Sequence, residues 1–438
     1  FKSGRKINTQ KINDVLLKDN TLEPILLIHT FDTYLNHAAI GGTFTLEYKT
    51  DLTRRIGGMM EIIESIHTLK LNGVERGNFV EIAPAIDALL AELLAGIGEL
   101  PELEFFESLD LTCPHDIFFE TLAFILKNAT LSFQSRFFKL KNVQKNRFRS
   151  EIRILKENYR MNSDLIFEKE RLLTDLIEIE LKEELTLVKN FERLNDEKIT
   201  PHFLKLAKTP ANSDSLENIC NDENIPFNNL DERSRHIHTY YRDLYRKNAT
   251  NIDNPNTFSI ENFLGECANH PEIQGSKLTD EEKNNLDRPL GIEEFDLSIK
   301  KAKKNSAPGG DGMSNRFIEK NWNLFRVPLF KYATTCFEKG ALTENFRSAN
   351  VRLIPKKGDC SKLKNWRPIS LLNCFYKILS RVFAERLKCV MDKITAVGQK
   401  GYSSSKQCQE VLINIIEDIH SCKTGGKSGA LISLDIRK

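Results

Sequence analysis

The sequence predicts an α+β protein that is mostly α-helical, with its few strands confined to the C-terminal third. Three observations carry this expectation. No glycine stands between Gly98 and Gly265 and no proline between Pro114 and Pro201, while Leu, Ile, Glu, Lys and Arg dominate, the composition of long helices. Within that span apolar residues recur three or four apart. Much later, Asn350 to Ile354 reads as a strand closed by Pro355, and a polar loop returns into a second short element, RPISLL. At 438 residues and 40% hydrophobic content, the chain exceeds one ordinary core, and two or three domains are expected. It opens on Phe1 and stops at Lys438, which reads as a piece of a longer protein.

Residues 1–110 form a mainly helical region without a motif. AIDALLAELLAGIGEL at 85–100 is interrupted by Asp87, Glu92 and Glu99; it reads as a core helix, too short to cross a bilayer comfortably, which takes about 20 residues. No secretory signal pattern is visible at the amino end. Residues 111–275 form a long-helix region. Leu172, Leu173, Leu176, Ile177, Leu181, Leu185, Val188 and Phe191 make one apolar stripe, which predicts a projecting helical hairpin with one side packed and the other wet. Residues 207–230 are rich in Asn, Asp, Ser and Pro and read as loops or a short hairpin. The helix RSRHIHTYYRDLYRKN follows, and the Asn- and Pro-rich stretch 249–277 ends the region.

Residues 276–438 hold the chemistry. The net charge of +2 conceals an asymmetry: residues 301–438 carry 26 Lys and Arg against 11 Asp and Glu, and the rest carries 37 against 50. A basic segment on an acidic body points to a polyanionic partner. The helix IEEFDLSIKKAKK has acids at its start and lysines at its end, matching the helix dipole. It runs into NSAPGGDGMS, where Gly309, Gly310 and Gly312 allow backbone amides to approach a phosphate; the order of a Walker loop is absent. In the hairpin, Lys356, Lys357, Lys362, Lys364 and Arg367 converge on one loop. Their repulsion is costly unless a phosphate group neutralises it, and a triphosphate offers that neutralisation. The next helix puts Ile378, Leu379, Val382, Phe383, Leu387, Val390 and Met391 on its apolar side and Lys377, Arg381 and Lys388 on another. The loop GQKGYSSSKQCQ, with Tyr402 and Lys406, suits stacking and phosphate contact. A closing strand, Ala430 to Ile436, carries Asp435 near its end.

The nine cysteines are scattered, without a Cys-x-x-Cys pair, so neither a zinc ribbon nor a disulfide framework is signalled and a reducing intracellular setting fits. Cys267 with His270, and His236 with His238, read as ordinary polar positions.

The succession of RPLGIEEFDLSIKKAKKNSAPGGDGMSNRFIEKN, VRLIPKKGDCSKLKNWRPISLLNCFYKILSRVFAERL, GQKGYSSSKQC and GALISLDIRK resembles the reverse transcriptase of non-long-terminal-repeat retrotransposons, the long interspersed elements. The stretch KNFERLNDEKITPHFLKLAK and the helix HIHTYYRDLYRKN are similar to that family's helical segment ahead of the polymerase. The resemblance implies a tower-like helical region followed by polymerase fingers and the beginning of a right-hand palm. It makes Lys356 or Lys357, with Arg367, the grip on an incoming triphosphate. Gly309, Gly310 and Lys406 become template contacts, although Gly310 stands where the family often has proline. Asp435 becomes the first catalytic aspartate and, with the backbone carbonyl of Ile436, a ligand of two magnesium ions. Template RNA, a DNA primer and deoxynucleoside triphosphates are the implied partners, in a ribonucleoprotein with the element's own RNA, nuclear and cytoplasmic, with no membrane. One aspartate cannot hold two metals, so this piece alone is expected to be inactive. The alternatives are a group II intron maturase-like enzyme and a non-enzymatic RNA-binding helical protein.

Overall fold

The computed structural model describes residues 21–40, 44–76, 79–157, 162–175, 177, 216–221, 224–227, 229–246, 275–304, 306–356, 358–395, 399 and 408–425. They fall into two compact units: residues 1–245 with 292–378, and residues 246–291 with 379–438. Of the spans read from the sequence, 1–110 falls in the first unit, and 111–275 and 276–438 are each divided between the two.

The first unit begins with a helical bundle of α1 (Leu22–His37), α2 (Leu46–Arg76), α3 (Phe79–Gly98), the short α4 (Leu103–Glu107) and the long α5 (His115–Lys156). Burial follows helical periodicity. Leu52, Ile56, Met59, Ile63 and Ile66 line the inner face of α2; Phe119, Leu122, Leu126 and Phe133 line that of α5. Thr30 and Thr130 are fully buried, and each hydroxyl donates to the carbonyl four residues earlier, Leu26 (2.8 Å) and Leu126 (2.7 Å). Neither therefore leaves an unsatisfied donor in the core. The helix expected at 85–100 is the later part of α3, which starts earlier and ends at Gly98.

Beyond the bundle, α5 meets a returning helix over residues 162–175. Glu151 accepts from Arg147 Nε at 2.7 Å and also from Lys169, while Lys156 pairs with Glu170 at 2.8 Å. Ile152 and Ile166 are buried, whereas Ile154 and Phe167 face solvent. This is the base of a helical hairpin with one packed side. Of the predicted stripe only Leu172, Leu173 and Ile177 are among the described residues.

The C-terminal part of the first unit comprises α6 (Leu230–Arg246), α8 (Ile292–Lys300), α9 (Asn315–Lys320), α10 (Trp322–Lys339), α11 (Glu344–Arg347), β1 (Ala349–Pro355), β2 (Trp366–Leu372) and the start of α12 (Cys374–Lys388). Asp296 on α8 accepts from Trp322 Nε1 (2.7 Å) and takes Arg326 in a forked contact (2.8 and 2.9 Å), tying α8 to α10. The bundle packs directly against α10. Phe119 stands 5.2 Å from Tyr332, 6.1 Å from Phe346 and 5.1 Å from Phe375 between ring centroids, and Lys339 pairs with Asp116 at 2.7 Å.

In the second unit, α7 (Asp280–Asp287) starts with a reciprocal cap between Thr279 and Glu282. Lys393 on α13 (Met391–Ile394) bonds to the same Glu282 at 2.6 Å. Arg386 corrects a sequence expectation. The apolar side of α12 was read to include Leu387, yet Leu387 is 45% exposed and its neighbour Arg386 is 9% exposed. Arg386 donates to the carbonyls of Leu286 (3.1 Å), Arg288 (2.6 Å) and Pro289 (2.8 Å). A guanidinium is well suited to this because its fixed fork satisfies several helix-end carbonyls at once. The unit also contains α14 (Cys408–Thr424). Among the described residues no helix is long and apolar enough to cross a membrane.

Candidate nucleic-acid interface

The two strands pair antiparallel, with Arg352 opposite Ile369, Leu353 opposite Pro368, Ile354 opposite Arg367 and Pro355 opposite Trp366. Side chains alternate along a strand and paired residues share a face. One face therefore carries Arg352, Ile354, Arg367 and Ile369, all exposed; the other carries Leu353 and Trp366. Among the described residues no carboxylate forms a salt bridge with Arg352, Arg367, Lys362 or Lys364. Two arginines around an aliphatic pair give this face charge-assisted donors at its edges and an apolar surface between. Arg352 was missed in the sequence reading, although strand alternation puts it on the face of Arg367.

The loop joining the strands is rigidly tied. Gly358 takes a φ of 124°, where a side chain would be strained. Asn365 Nδ2 donates to the Asp359 carbonyl at 2.7 Å, and Trp366 Nε1 donates to that of Cys360 at 2.9 Å. The Asp359 carboxyl accepts from the Ser361 amide at 2.9 Å; hydrogen bonds from Ser361, with Lys362 and Lys364 nearby, hold it below the usual carboxylate range. Lys356 folds back, its Nζ donating to the Lys364 carbonyl at 3.1 Å. Lys362 and Lys364 flank the buried Leu363 and are themselves exposed. Leu363 and Trp366 belong to a cluster with Ile219 and with Tyr241 of α6, against which Phe227, Ile237, Tyr240, Leu244, Leu353 and Cys360 pack. The segment ahead of α6 turns back on itself through a Cys220–Pro226 bridge, and the Cys220 amide donates to the Ser361 carbonyl at 3.0 Å.

The SAPGGDG turn sits at the other end of the hairpin. A Cβ on Gly309 would lie 2.4 Å from Asn373 Oδ1, 2.5 Å from its backbone nitrogen and 2.6 Å from the Leu372 carbonyl carbon; one on Gly310 would find only Asn350, at 3.6 Å or more. Gly309 thus lets two backbones touch where β2 runs into α12. Since strands rise about 3.4 Å per residue, this turn is roughly 15 Å from the Arg367–Ile354 pair. Gly309→Ala is expected to cost about 1–3 kcal/mol through forced displacement of backbone, and Gly310→Ala less than about 0.5 kcal/mol. Urea unfolding of the two variants checks this; equal effects would contradict it.

Asp311 in this turn is half-buried, but its Oδ2 is enclosed and has no hydrogen-bond partner. Its Oδ1 accepts from the Met313 amide at 3.3 Å. Burial pushes its carboxyl up to about 6, against the pull of the Met313 amide and of Lys127 and Lys377. Because the folded state holds this proton more tightly, the associated stability is present at low pH and is lost as pH rises through about 6. Asp311→Asn is expected to gain about 2 kcal/mol over the native chain at pH 7.5 and nothing at pH 4. Urea unfolding at both values measures it; an equal difference at the two would contradict it.

Of the residues singled out in the sequence, Lys357, Tyr402, Lys406 and the closing strand Ala430 to Ile436, with Asp435 and Ile436, lie outside the described residues. Among the described residues no group of three or more His, Cys, Asp or Glu could hold a metal ion.

Residues 354–438, which begin inside this hairpin, match the family of reverse transcriptases (RNA-dependent DNA polymerases). The chain is 30% identical over 161 residues to the transposon TX1 uncharacterized 149 kDa protein of Xenopus laevis, covering 37% of this chain and 12% of that protein. It is 32% identical over 154 residues to the retrovirus-related Pol polyprotein from type-1 retrotransposable element R2 of Popillia japonica, covering 34% of this chain and 20% of the relative. The matched segment is similar to reverse transcriptases, and both of these relatives are proteins of transposable elements. The reverse transcriptase match takes in Arg367, the cationic loop, β2 and α12; Arg352 and the SAPGGDG turn precede it. The chain corresponds to 12% and 20% of the length of these two relatives.

Proposed function

We propose that this chain is the fingers and first palm segment of a protein that copies RNA into DNA during target-primed transposition. The observation that carries the reading is the exposed Arg352 and Arg367 face of a braced hairpin, at the start of the segment that resembles RNA-dependent DNA polymerases. Arg367 acts as a two-pronged donor to the triphosphate of the incoming deoxynucleotide, with Lys357 or Lys356 adding charge. The template RNA passes the Gly309–Gly310 turn and Lys406. Asp435, with the Ile436 carbonyl beside it, is the proposed ligand of the magnesium ions that such a transfer uses; one carboxylate does not suffice for two ions. Residues 111–275 form the tower that links this segment to the rest of the protein. The protein works as a ribonucleoprotein with its own element's RNA, in nucleus and cytoplasm.

RNA-templated primer extension tests the reading. The full-length protein is expected to extend a DNA primer on an RNA template, and the 438-residue chain alone is not.

A further inference from the structure

We infer that α6 is the outer wall of the fingers and, with the cationic loop, holds a single strand of RNA. This rests on the reading that the protein copies RNA, and it adds a surface upstream of the matched segment. One face of α6, Ile237, Tyr240, Tyr241 and Leu244, is spent on the cluster around Leu363 and Trp366. Those positions follow the helical repeat, so the opposite face is set by the same geometry. It carries Arg235, Thr239 and Arg242, all exposed, with Tyr245 on its flank at 60% exposure and the half-buried His238 beside it.

The loop that α6 covers supplies the neighbouring charge. Leu363 is buried against the helix while Lys362 and Lys364, its neighbours in the chain, are exposed. The cations therefore stand at the margin of the patch that α6 closes. Arg242 Nε contacts Asp243 at 3.2 Å, an exposed pair of small energy that leaves its other N–H groups for a phosphate. Arg235 Nε reaches the Asp231 carbonyl, at 3.4 Å. Arginines spaced along a helix with an exposed tyrosine ring suit a strand whose phosphates meet the cations and whose bases stack on the ring.

Fluorescence anisotropy of the 438-residue chain with a labelled uridine-rich RNA tests this. Arg235→Gln combined with Arg242→Gln is expected to reduce the slope of log K against log salt by about 1.4, two phosphate contacts on a single strand. Tyr245→Ala is expected to weaken binding about fivefold or more with the slope unchanged. All three side chains are exposed, so the circular dichroism melting midpoint should stay within a degree or two of the native chain. An unchanged slope in the α6 double variant, beside a reduced slope for Arg352→Gln with Arg367→Gln, would overturn this inference and leave the reading of the hairpin standing. Unchanged slopes in both would overturn the two together.

Discussion

Phe119→Ala is expected to destabilise the first unit by about 3–5 kcal/mol, the cost of a large cavity among buried rings. Phe119 is 1% exposed and belongs to α5, yet its partners lie on α10, α11 and α12: Tyr332, Phe346 and Phe375. Tyr332 in turn stacks on Phe346 at 4.4 Å, and Phe325 meets Phe375 at 5.1 Å. The ring is therefore a bolt between the helical bundle and the helices that carry the hairpin. Phe124, on the same helix but 64% exposed, supplies the control, with Phe124→Ala expected within about 0.5 kcal/mol of the native chain. Urea unfolding followed by circular dichroism measures both. If Phe119→Ala were as mild as Phe124→Ala, the bundle and the helices that carry the hairpin would be energetically independent, and the bundle would have no part in positioning Arg367.

The elements were legible where the signal is local. The Asn350–Ile354 strand, its return through RPISLL and the basic loop between them were all readable from alternation, Pro355 and the charge run, and the strands pair as expected. So were long helices in the glycine-free span, of which the 42-residue α5 is one; most of the Leu172–Phe191 stripe lies outside the described residues. What escaped were contacts between residues far apart in the chain. Nothing in the periodicity of α5 says that Phe119 meets rings more than two hundred residues later, or that Tyr241 of α6 closes over Trp366. Arg386 escaped for a different reason: a buried arginine looks like a surface one until the carbonyls of Leu286, Arg288 and Pro289 are seen around it. Gly309 was read for its access to phosphate, and its missing side chain is also what lets β2 and α12 meet the turn.

The second large effect belongs to Arg367. It projects from β2 opposite Ile354, on the face it shares with Arg352, exposed and without a carboxylate partner among the described residues. A charge-assisted contact from such a group to a triphosphate is worth about 1.5–3 kcal/mol. Lysine, a point charge, cannot reproduce the fork. The decisive measurement is deoxynucleotide-dependent primer extension on an RNA template by the full-length protein, native and Arg367→Ala. The expected result is a fall of about tenfold to a hundredfold in kcat/KM for the nucleotide, mostly as a raised KM, with Arg367→Lys restoring only part of it. Unchanged kcat and KM in Arg367→Ala would contradict the account, because the hairpin would then not hold the nucleotide.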